Sequence, residues 1–284
     1  MCELFAMSSS HPATVNLSLG EFSRHGGLTA DHADGWGLAY VEDRDVRVFR
    51  DIDAAADSPY LQFVSRRQFR SDIVISHIRR ATLGDVALRN THPFARELGG
   101  RVHLFAHNGD IPGIKDVVGG GRRPFRPIGE TDSEMAFCLL LDRLQSLWLN
   151  ARLIPPLEDR LEVILDLAQE MRDLGPANFI YTDGDVVVLH GHQRKHREDG
   201  KIRPPGLHLL CRSCQADPAS IRSRGLTIDA TTQNVVLAAS VPLTDEPWMQ
   251  LDEGEVVVLR AGEIVRRVLP NDQHRALGTV DQGT

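Results

Sequence analysis

Two helical segments follow one another in the middle of this chain, between two long runs of short strands, and this order constrains the fold more than any other feature. The first helix is predicted from Thr131 to about Leu147, because residues 131–134 have a capping-box pattern before an apolar run. The second follows a Pro-Pro step at 155–156, repeats apolar residues at steps of four and three, and ends at the Gly-Pro step at 175–176. Strands grouped in runs predict an α+β fold with antiparallel sheets.

The strands are predicted from apolar runs with glycine between them. They are residues 2–7, 35–41, 46–49, 73–78 and 102–106 before the helices, and 179–182, 186–190, 207–211, 235–240 and 256–260 after them. An Asp-Gly step at 183–184 predicts a hairpin turn, and the polar, basic residues 193–205 are predicted to be a loop. No linker divides the chain, so we expect a single domain over residues 2–270, followed by a polar C-terminal tail at 271–284.

Charge and composition exclude several classes of function. The net charge of −7 and the lack of a long basic run argue against nucleic acid or an anionic membrane as a partner. No apolar stretch has the length of a membrane span and no secretion signal is recognisable, so we expect a cytoplasmic protein with no membrane partner. Four cysteines in 284 residues do not suggest a disulfide scaffold.

The second residue of the chain is a cysteine. Removal of Met1 would leave Cys2 with a free α-amino group beside its own thiol. The amine titrates near ~7.7–8.0 and the thiol near ~8.5, so both can exchange protons at cellular pH. A thiol with an adjacent base is a standard nucleophile for acyl transfer. Taken by itself, however, such a cysteine is more often a small apolar residue of a first strand.

Three polar clusters interrupt the strands and helices. Arg79 and Thr82 follow a buried strand, Asn108-Gly109 ends another, and Asp132 lies in the first turn of the first long helix. Each has an ordinary explanation: an ion pair, a turn, or a favourable helix dipole. Together they suit cleavage of an amino-acid amide. An Asn amide and a Gly N–H on one tight turn can hold an oxyanion, an arginine can bind an α-carboxylate, and an aspartate suits an α-ammonium group.

The same residues carry a family resemblance. Its motifs are Cys2 after Met1, Arg79…Thr82…Gly84, Asn90-Thr91-His92-Pro93, His107-Asn108-Gly109 and Glu130-Thr131-Asp132-Ser133-Glu134. In this order the sequence resembles the class II glutamine amidotransferases, which are N-terminal-nucleophile (Ntn) hydrolases. With Asp34-Gly35-Trp36-Gly37, which we interpret as a tight turn into a strand, it is most similar to the stand-alone YafJ-like group. The resemblance extends from Cys2 to about Val268 and implies a four-layer αββα sandwich of two antiparallel β-sheets.

The resemblance also implies a role for each site residue. Cys2 would be the nucleophile, with its freed α-amine as general base. Asn108 and the N–H of Gly109 would form the oxyanion hole. Arg79, with Thr82 beside it, would bind the α-carboxylate of glutamine or of another γ-glutamyl amide, and Asp132 would bind its α-ammonium group. His92 would lie near this pocket without an assigned role. No cofactor and no metal are implied.

Two positions depart from the relatives that are fused to synthases. Those relatives have Arg-Trp-Ala-Thr-His-Gly at the first cluster, whereas here Arg80 replaces the Trp and Leu83 replaces the His. The resemblance therefore does not carry over their coupling to a synthase domain, and we expect none after Leu269. A separate ammonia-accepting synthase partner stays an option.

Three alternatives stay open from the sequence. The first is hydrolysis of a γ-glutamyl conjugate, as in relatives that act in ergothioneine biosynthesis. The second is a non-catalytic module that binds glutamine. The third is a thiol or metal switch at the CxxC motif of Cys211 and Cys214, although a zinc site would need a second pair of ligands.

Overall fold

The computed structural model describes residues 2–27, 33–214 and 233–272, and every structural statement below refers to them. The helices are α1 (Asn16–Arg24), α2 (Pro59–Arg66), α3 (Ile114–Val118), α4 (Asp132–Asn150) and α5 (Leu157–Leu174). The strands are β1 (Glu3–Ala13), β2 (Trp36–Glu42), β3 (Asp45–Asp51), β4 (Ser71–Ile78), β5 (Phe94–Leu98), β6 (Arg101–Gly109), β7 (Ala177–Thr182), β8 (Val187–Gly191), β9 (Arg194–Lys195), β10 (Ile202–Arg203), β11 (His208–Cys214), β12 (Gln233–Ala239), β13 (Met249–Gln250), β14 (Glu255–Arg260) and β15 (Glu263–Val268).

Two large antiparallel sheets form the centre of the molecule. One has seven strands in the order β13-β11-β12-β1-β4-β2-β3, and the other has six in the order β15-β14-β8-β7-β6-β5. The first strand, β1, lies inside the first sheet between β12 and β4. Helices pack on both outer faces. The predicted α+β fold, a four-layer αββα sandwich, is confirmed.

Alternation along β1 divides its side chains between two cores. Leu4 and Ala6 pack into the core between the sheets, whereas Phe5 and Met7 pack into the core beneath α1 and α2. All four side chains are fully buried, and burial of each large one stabilises the fold by roughly 1.5–3 kcal/mol. Because successive strand residues point to opposite faces, the even-numbered face of β1 is the inner one. Cys2 precedes Leu4 by two residues and belongs to that inner face.

The same alternation organises β6 in the second sheet. Leu104 and Ala106 face the core between the sheets, and Phe105 faces the third core, beneath α4 and α5. The predicted apolar face of α5 lies in that third core. Its residues are Leu157, Leu161, Ile164, Ala168 and Met171. The helix prediction from the four-three spacing is therefore confirmed.

The start of α4 is held by the Thr131 hydroxyl, which caps the helix, and by the Glu134 carboxylate in its first turn. Thr131 Oγ1 accepts a hydrogen bond from the backbone N–H of Glu134 at 3.2 Å, as the capping-box pattern predicts. The Glu134 carboxylate does not return to Thr131. It accepts instead from the N–H groups of Ile128 (3.0 Å) and Gly129 (2.7 Å) and pairs with Arg96. Glu134 therefore ties the preceding segment to the helix that carries Asp132.

Local signals missed the short elements. Helices α1, α2 and α3 have only five to nine residues, too few for a clear apolar repeat. The predicted loop at 193–205 contains the short hairpin β9–β10. None of the helices in the described ranges has the length and apolar character needed to cross a membrane. Residues 273–284 of the predicted tail lie outside the described residues.

Candidate active site

A small pocket forms where the start of β1, the end of β4, the end of β6 and the start of α4 meet. The antiparallel register pairs Glu3 with Ile78, so the residue before β1 lies beside the segment that follows β4. Five of the six predicted site residues line this one pocket. They are Cys2, Arg79, Thr82, Gly109 and Asp132. The free volume is about 30 Å³, which is less than an amino-acid amide occupies, and Thr82 at its edge is exposed.

The Cys2 thiol is held by the backbone of Arg80. Its Sγ accepts a hydrogen bond from the Arg80 N–H at 3.2 Å and lies 3.4 Å from the Arg80 carbonyl oxygen, to which it can donate. Burial raises the pKa of the Cys2 thiol above its ordinary value, and the Arg80 amide and the charge of Arg79 offset this only in part. The thiol is therefore protonated at neutral pH, and its use as a nucleophile requires a nearby base.

Arg79 is a buried cation without a protein counter-charge. Its side chain is 3% exposed, and its Nη2 donates to the carbonyl oxygens of Leu83 and Gly84 at 3.2 Å each. Its Nη1 is buried without a hydrogen-bond partner, and no carboxylate among the described residues forms an ion pair with it. A buried charge in this state is costly unless an anion joins it. The geometry therefore suits the carboxylate of a small ligand.

The segment from Arg79 to Ala81 is held by Asp34-Gly35, a role that the sequence motif alone did not indicate. The Arg79 N–H donates to the Gly35 carbonyl at 2.8 Å, and the Ala81 N–H donates to Asp34 Oδ2, also at 2.8 Å. Asp34-Gly35 therefore does more than turn the chain into β2. It fixes the backbone that holds both the Cys2 sulfur and the Arg79 side chain. The signal in the sequence was an Asp next to the glycine that precedes β2, and this pattern does not reveal which backbone groups the carboxylate holds.

The predicted tight turn at Asn108-Gly109 is wrong. Both residues belong to β6, paired with Asn178 and Ala177 of β7, and the pairing continues through the Asp110 N–H to Pro176. Pairing with β7 overrides the local turn preference of an Asn-Gly step. Gly109 must lack a side chain, because a Cβ there would overlap the Pro176 carbonyl oxygen.

The side-chain amide of Asn108 has no partner among the described residues. The residue is 1% exposed, and its Oδ1 and Nδ2 are both buried without a hydrogen bond. Asn108 lies on the inner face of β6, since it follows Leu104 and Ala106 at intervals of two. An unpaired buried amide costs on the order of 1–3 kcal/mol, which makes it a candidate binding group.

Asn178 supports Asn108 from the neighbouring strand. Its Nδ2 donates to the carbonyl oxygens of Asn108 (2.9 Å) and Gln193 (2.7 Å), and its Oδ1 accepts from the His192 N–H at 2.8 Å. All the polar groups of this fully buried amide are therefore used. Asn178 positions the backbone at the end of β6. The sequence carries no motif that would have singled it out.

Asp132 begins α4 and is held in place on both carboxylate oxygens. Its Oδ2 accepts from the Ile111 N–H at 2.9 Å, and its Oδ1 accepts from the N–H (2.7 Å) and the hydroxyl (3.2 Å) of Ser133. The Ser133 hydroxyl also lies 2.9 Å from Nδ1 of His107. A negative charge is favourable at a helix N-terminus, and Oδ2, which accepts only one of these hydrogen bonds, keeps a lone pair that can face a cationic ligand group.

Two buried histidines complete the pocket floor. His92 and His107 both line it, and burial lowers the pKa of each imidazole, so both are neutral at pH 7. The centroids of the His92 and His77 rings are 4.2 Å apart. Within residues 2–27, 33–214 and 233–272, no group of three His, Cys, Asp or Glu side chains is arranged to hold a metal ion. Cys211 is exposed, and the side chain of Cys214 lies outside the described part.

This sandwich, with a cysteine at the start of an internal strand, has the architecture of the Ntn hydrolases. The structure of glutamine phosphoribosylpyrophosphate amidotransferase from B. subtilis superposes with a TM-score of 0.59, covering 94% of this chain and 49% of that chain. The two sequences are 13% identical, so this likeness shows the fold alone.

Closer relatives show the family. The family model for class II glutamine amidotransferases matches residues 1–280. YafJ of Escherichia coli (strain K12), whose name assigns it to the glutamine amidotransferases, is 35% identical over 271 residues, covering 93% of this chain and 100% of YafJ. The crystal structure of a predicted glutamine amidotransferase from Pseudomonas aeruginosa PA01 has a TM-score of 0.66 at 32% identity, covering 93% and 100% of the two chains. The chain belongs to the class II glutamine amidotransferases.

Proposed function

We propose that this protein hydrolyses the side-chain amide of glutamine, or of a γ-glutamyl amide, through a thioester on Cys2 after removal of Met1. The observation that carries the proposal is a pair of buried polar groups without partners among the described residues. Arg79 Nη1 belongs to the pocket that holds the Cys2 thiol, and the Asn108 amide belongs to the residue before Gly109, which lines that pocket. Each group has hydrogen-bonding capacity that a polar group of an amino-acid amide can use. Family membership supports the same reaction class.

Substrate binding uses the fixed charges of the pocket. The α-carboxylate pairs with Nη1 of Arg79, next to Thr82, and the α-ammonium group pairs with the Asp132 carboxylate. These contacts hold the head of the substrate and direct its side-chain amide towards Cys2. Orientation of this kind converts an encounter into an effectively intramolecular reaction.

The proposed chemical steps use Cys2, Asn108 and Gly109. The free α-amine of Cys2 takes the thiol proton, and the sulfur bonds to the carbon of the side-chain amide. The resulting oxyanion accepts hydrogen bonds from Asn108 Nδ2 and the Gly109 N–H. The carbon–nitrogen bond then breaks, and the α-ammonium group returns the proton to the leaving ammonia. Water hydrolyses the thioester, which yields glutamate and restores the thiol.

Intact-mass spectrometry and a glutaminase assay on the same protein test the proposal. We expect the mature chain to lack Met1, to gain one adduct from a glutamine-like electrophile, and to release ammonia from glutamine. Cys2→Ala should abolish both labelling and turnover, whereas the control Cys211→Ala, at an exposed thiol on β11, should keep both. Turnover that survives in Cys2→Ala would contradict the proposal. Retention of Met1 without labelling would favour a non-catalytic glutamine-binding module.

The clamp formed by Arg79 and Asp132 contacts only the amino-acid head of the substrate. It therefore accepts glutamine and other γ-glutamyl amides alike, and a panel of such amides compared by kcat/KM identifies the preferred leaving group. We expect ammonia release from glutamine without any second protein. An ammonia-accepting synthase partner would reveal itself by raising kcat/KM further.

A further inference from the structure

A second, larger pocket lies on the outer side of the seven-stranded sheet, close to the start of β1. Its volume is about 290 Å³, compared with about 30 Å³ beside Cys2. We name it the basic pocket. Its charged and titratable lining residues are Glu3, His25, Arg194, His196, Arg197, Glu198, Arg203 and His208. The pocket is thus lined by three arginines, three histidines and two glutamates.

The two acidic residues of the basic pocket are already engaged or directed to solvent. Glu3 is 2% exposed, and its Oε2 lies 2.6 Å from Nδ1 of His25. The Glu198 side chain is 77% exposed and lies 3.8 Å from Nδ1 of His196. Neither carboxylate forms an ion pair with Arg194. Arg194 therefore has no carboxylate partner among the described residues.

Arg194 forms the buried base of the pocket. The residue is 4% exposed, and its Nη1 donates to the backbone carbonyl oxygen of Ser240 at 2.6 Å. Its Nε is buried without a hydrogen-bond partner among the described residues. Buried polar groups in folded proteins are almost always paired, and a buried guanidinium with a free donor fits an anion. The same reasoning distinguishes Arg79 in the first pocket.

Arg203 lies at the mouth of the pocket on an ordered hairpin. The side chain of Arg203 is 45% exposed and faces Asp199 at 3.4 Å, a weak surface pair. The hairpin is fixed by the His196 N–H to the Lys201 carbonyl at 2.9 Å, and by the His196 ring to the Arg203 carbonyl at 3.0 Å. Arg194 and Arg203 are thus paired with each other across the two strands of this hairpin.

We propose that the basic pocket is a binding site for a small molecule bearing carboxylate or phosphate groups, separate from the glutamine site. A guanidinium group binds both kinds of anion in the same planar geometry. Glu3 and His208 lie on the outer face of their strands, whereas Cys2 belongs to the inner face. The anion would therefore lie across β1 from the thiol. Its binding does not depend on the catalytic proposal.

Calorimetric titration of the full chain tests the site directly. Inorganic phosphate and citrate are titrated separately, and we expect saturable 1:1 binding of at least one with a Kd near or below about 1 mM. Preference for phosphate identifies a phosphorylated ligand, and preference for citrate identifies a polycarboxylate. Arg194→Gln and Arg203→Gln should weaken binding by about fivefold or more, because each removes a charge from the pocket. The control Arg122→Gln removes an equal charge from an exposed position and should not change the Kd.

Two further measurements keep the result unambiguous. Arg203→Gln alters an exposed side chain, so it decides the question even if Arg194→Gln fails to fold. Arg79→Met should bind the anion as the wild type does, which separates the basic pocket from the substrate carboxylate site. Absence of saturable binding of either anion up to about 10 mM would overturn the proposal. Unchanged affinity of Arg203→Gln for the anion would also overturn the proposal, and so would loss of affinity in Arg79→Met.

Discussion

Two buried groups at the candidate active site, Arg79 Nη1 and the Asn108 amide, lower the stability of the free protein. Each has lost its water without gaining a hydrogen bond in the described chain. Proteins retain such groups mainly where a ligand forms the missing hydrogen bonds. At the residue scale, the site is thus defined by the polar atoms that the fold leaves unpaired, as much as by the thiol itself.

Asn108→Ala separates activity from stability. The substitution removes a donor that we propose for the oxyanion, so we expect kcat for glutamine to fall by about 10²–10³. It also removes an unpaired buried amide, so the free energy of unfolding should stay constant or rise. Steady-state kinetics and urea unfolding of the same preparations measure both. A fall in stability that parallels the fall in kcat would mean that the amide is structural.

Arg79→Lys keeps the charge but loses the planar fork that binds a carboxylate through two donors. We expect KM for glutamine to rise by about tenfold, which corresponds to ~1.4 kcal/mol of binding free energy, with a smaller change in kcat. Arg122→Lys, at an exposed position, is the matched control and should leave KM unchanged. An unaltered KM in Arg79→Lys would remove Arg79 from the substrate site.

Sequence motifs identified the residues whose side chains suit a known reaction. They did not identify the residues that position those side chains. Cys2, Arg79 and Asp132 carry side chains that suit amide hydrolysis, so their residue types and order along the chain were enough to propose them. Asp34 and Asn178 act through hydrogen bonds to distant backbone groups. Such partners depend on the three-dimensional fold, and no local pattern encodes them.

At the scale of elements, the start of α4 depends on one buried carboxylate. Glu134 accepts from two backbone N–H groups of the preceding segment and pairs with Arg96. This arrangement joins the segment before α4 to the helix turn that carries Asp132. The exposed Glu158, in the first turn of α5, offers a contrast, because its pair with Arg266 lies at the surface.

Glu134→Gln should therefore destabilise the protein by about 2–4 kcal/mol, since it breaks a buried ion pair and weakens two hydrogen bonds. Glu158→Gln, the matched control, should change the free energy of unfolding by less than about 0.5 kcal/mol. Chemical unfolding followed by circular dichroism measures both. Equal effects of the two substitutions would show that the Glu134 network contributes no more than a surface pair.

Long, strongly periodic elements could be predicted, and short ones could not. The apolar repeat of α5 and its Pro and Gly boundaries are local, so the helix was predicted within a residue or two. The turn at Asn108-Gly109 was predicted wrongly because β7, nearly seventy positions later, supplies the pairing that extends β6. The residue at which a strand ends depends on its pairing with neighbouring strands, and the sequence of one segment does not contain that information.

At the scale of the whole molecule, several histidines are buried in neutral form. Burial lowers the pKa of His103 to about 4, and it holds the pKa values of His92 and His190 well below their ordinary range. In the unfolded chain each would titrate near ~6.5. The folded state thus binds fewer protons than the unfolded state between these values, and acid favours unfolding.

We therefore expect full stability above about pH 6.5 and a steep loss as the pH falls towards 4. His103 alone should account for about 3 kcal/mol of this loss. The free energy of unfolding measured from pH 7 to pH 4 should fall less steeply in His103→Gln than in the wild type. His11→Gln, at an exposed position, should follow the wild-type curve. Identical slopes in all three proteins would contradict the assignment.

The order of strands within each sheet could not be read from the chain, since β1 pairs with β12, more than two hundred residues away. The layered architecture was expected only through the family resemblance. Local patterns predict the helices and strands and their apolar faces. The order in which they pack depends on contacts between segments that are distant in sequence.

The packing of β1 into two cores fixes the position of Cys2, the nucleophile that we propose, along the strand. Leu4 and Phe5 are locked into different cores, so the strand cannot slide. One residue inserted between Cys2 and Leu4 would reverse the parity and turn the thiol towards the helical layer. Two inserted residues would restore the parity but move the sulfur about 6.6 Å further along the strand. The interval between thiol and strand therefore has a fixed length, and it offers a register mark for aligning distant members of the family.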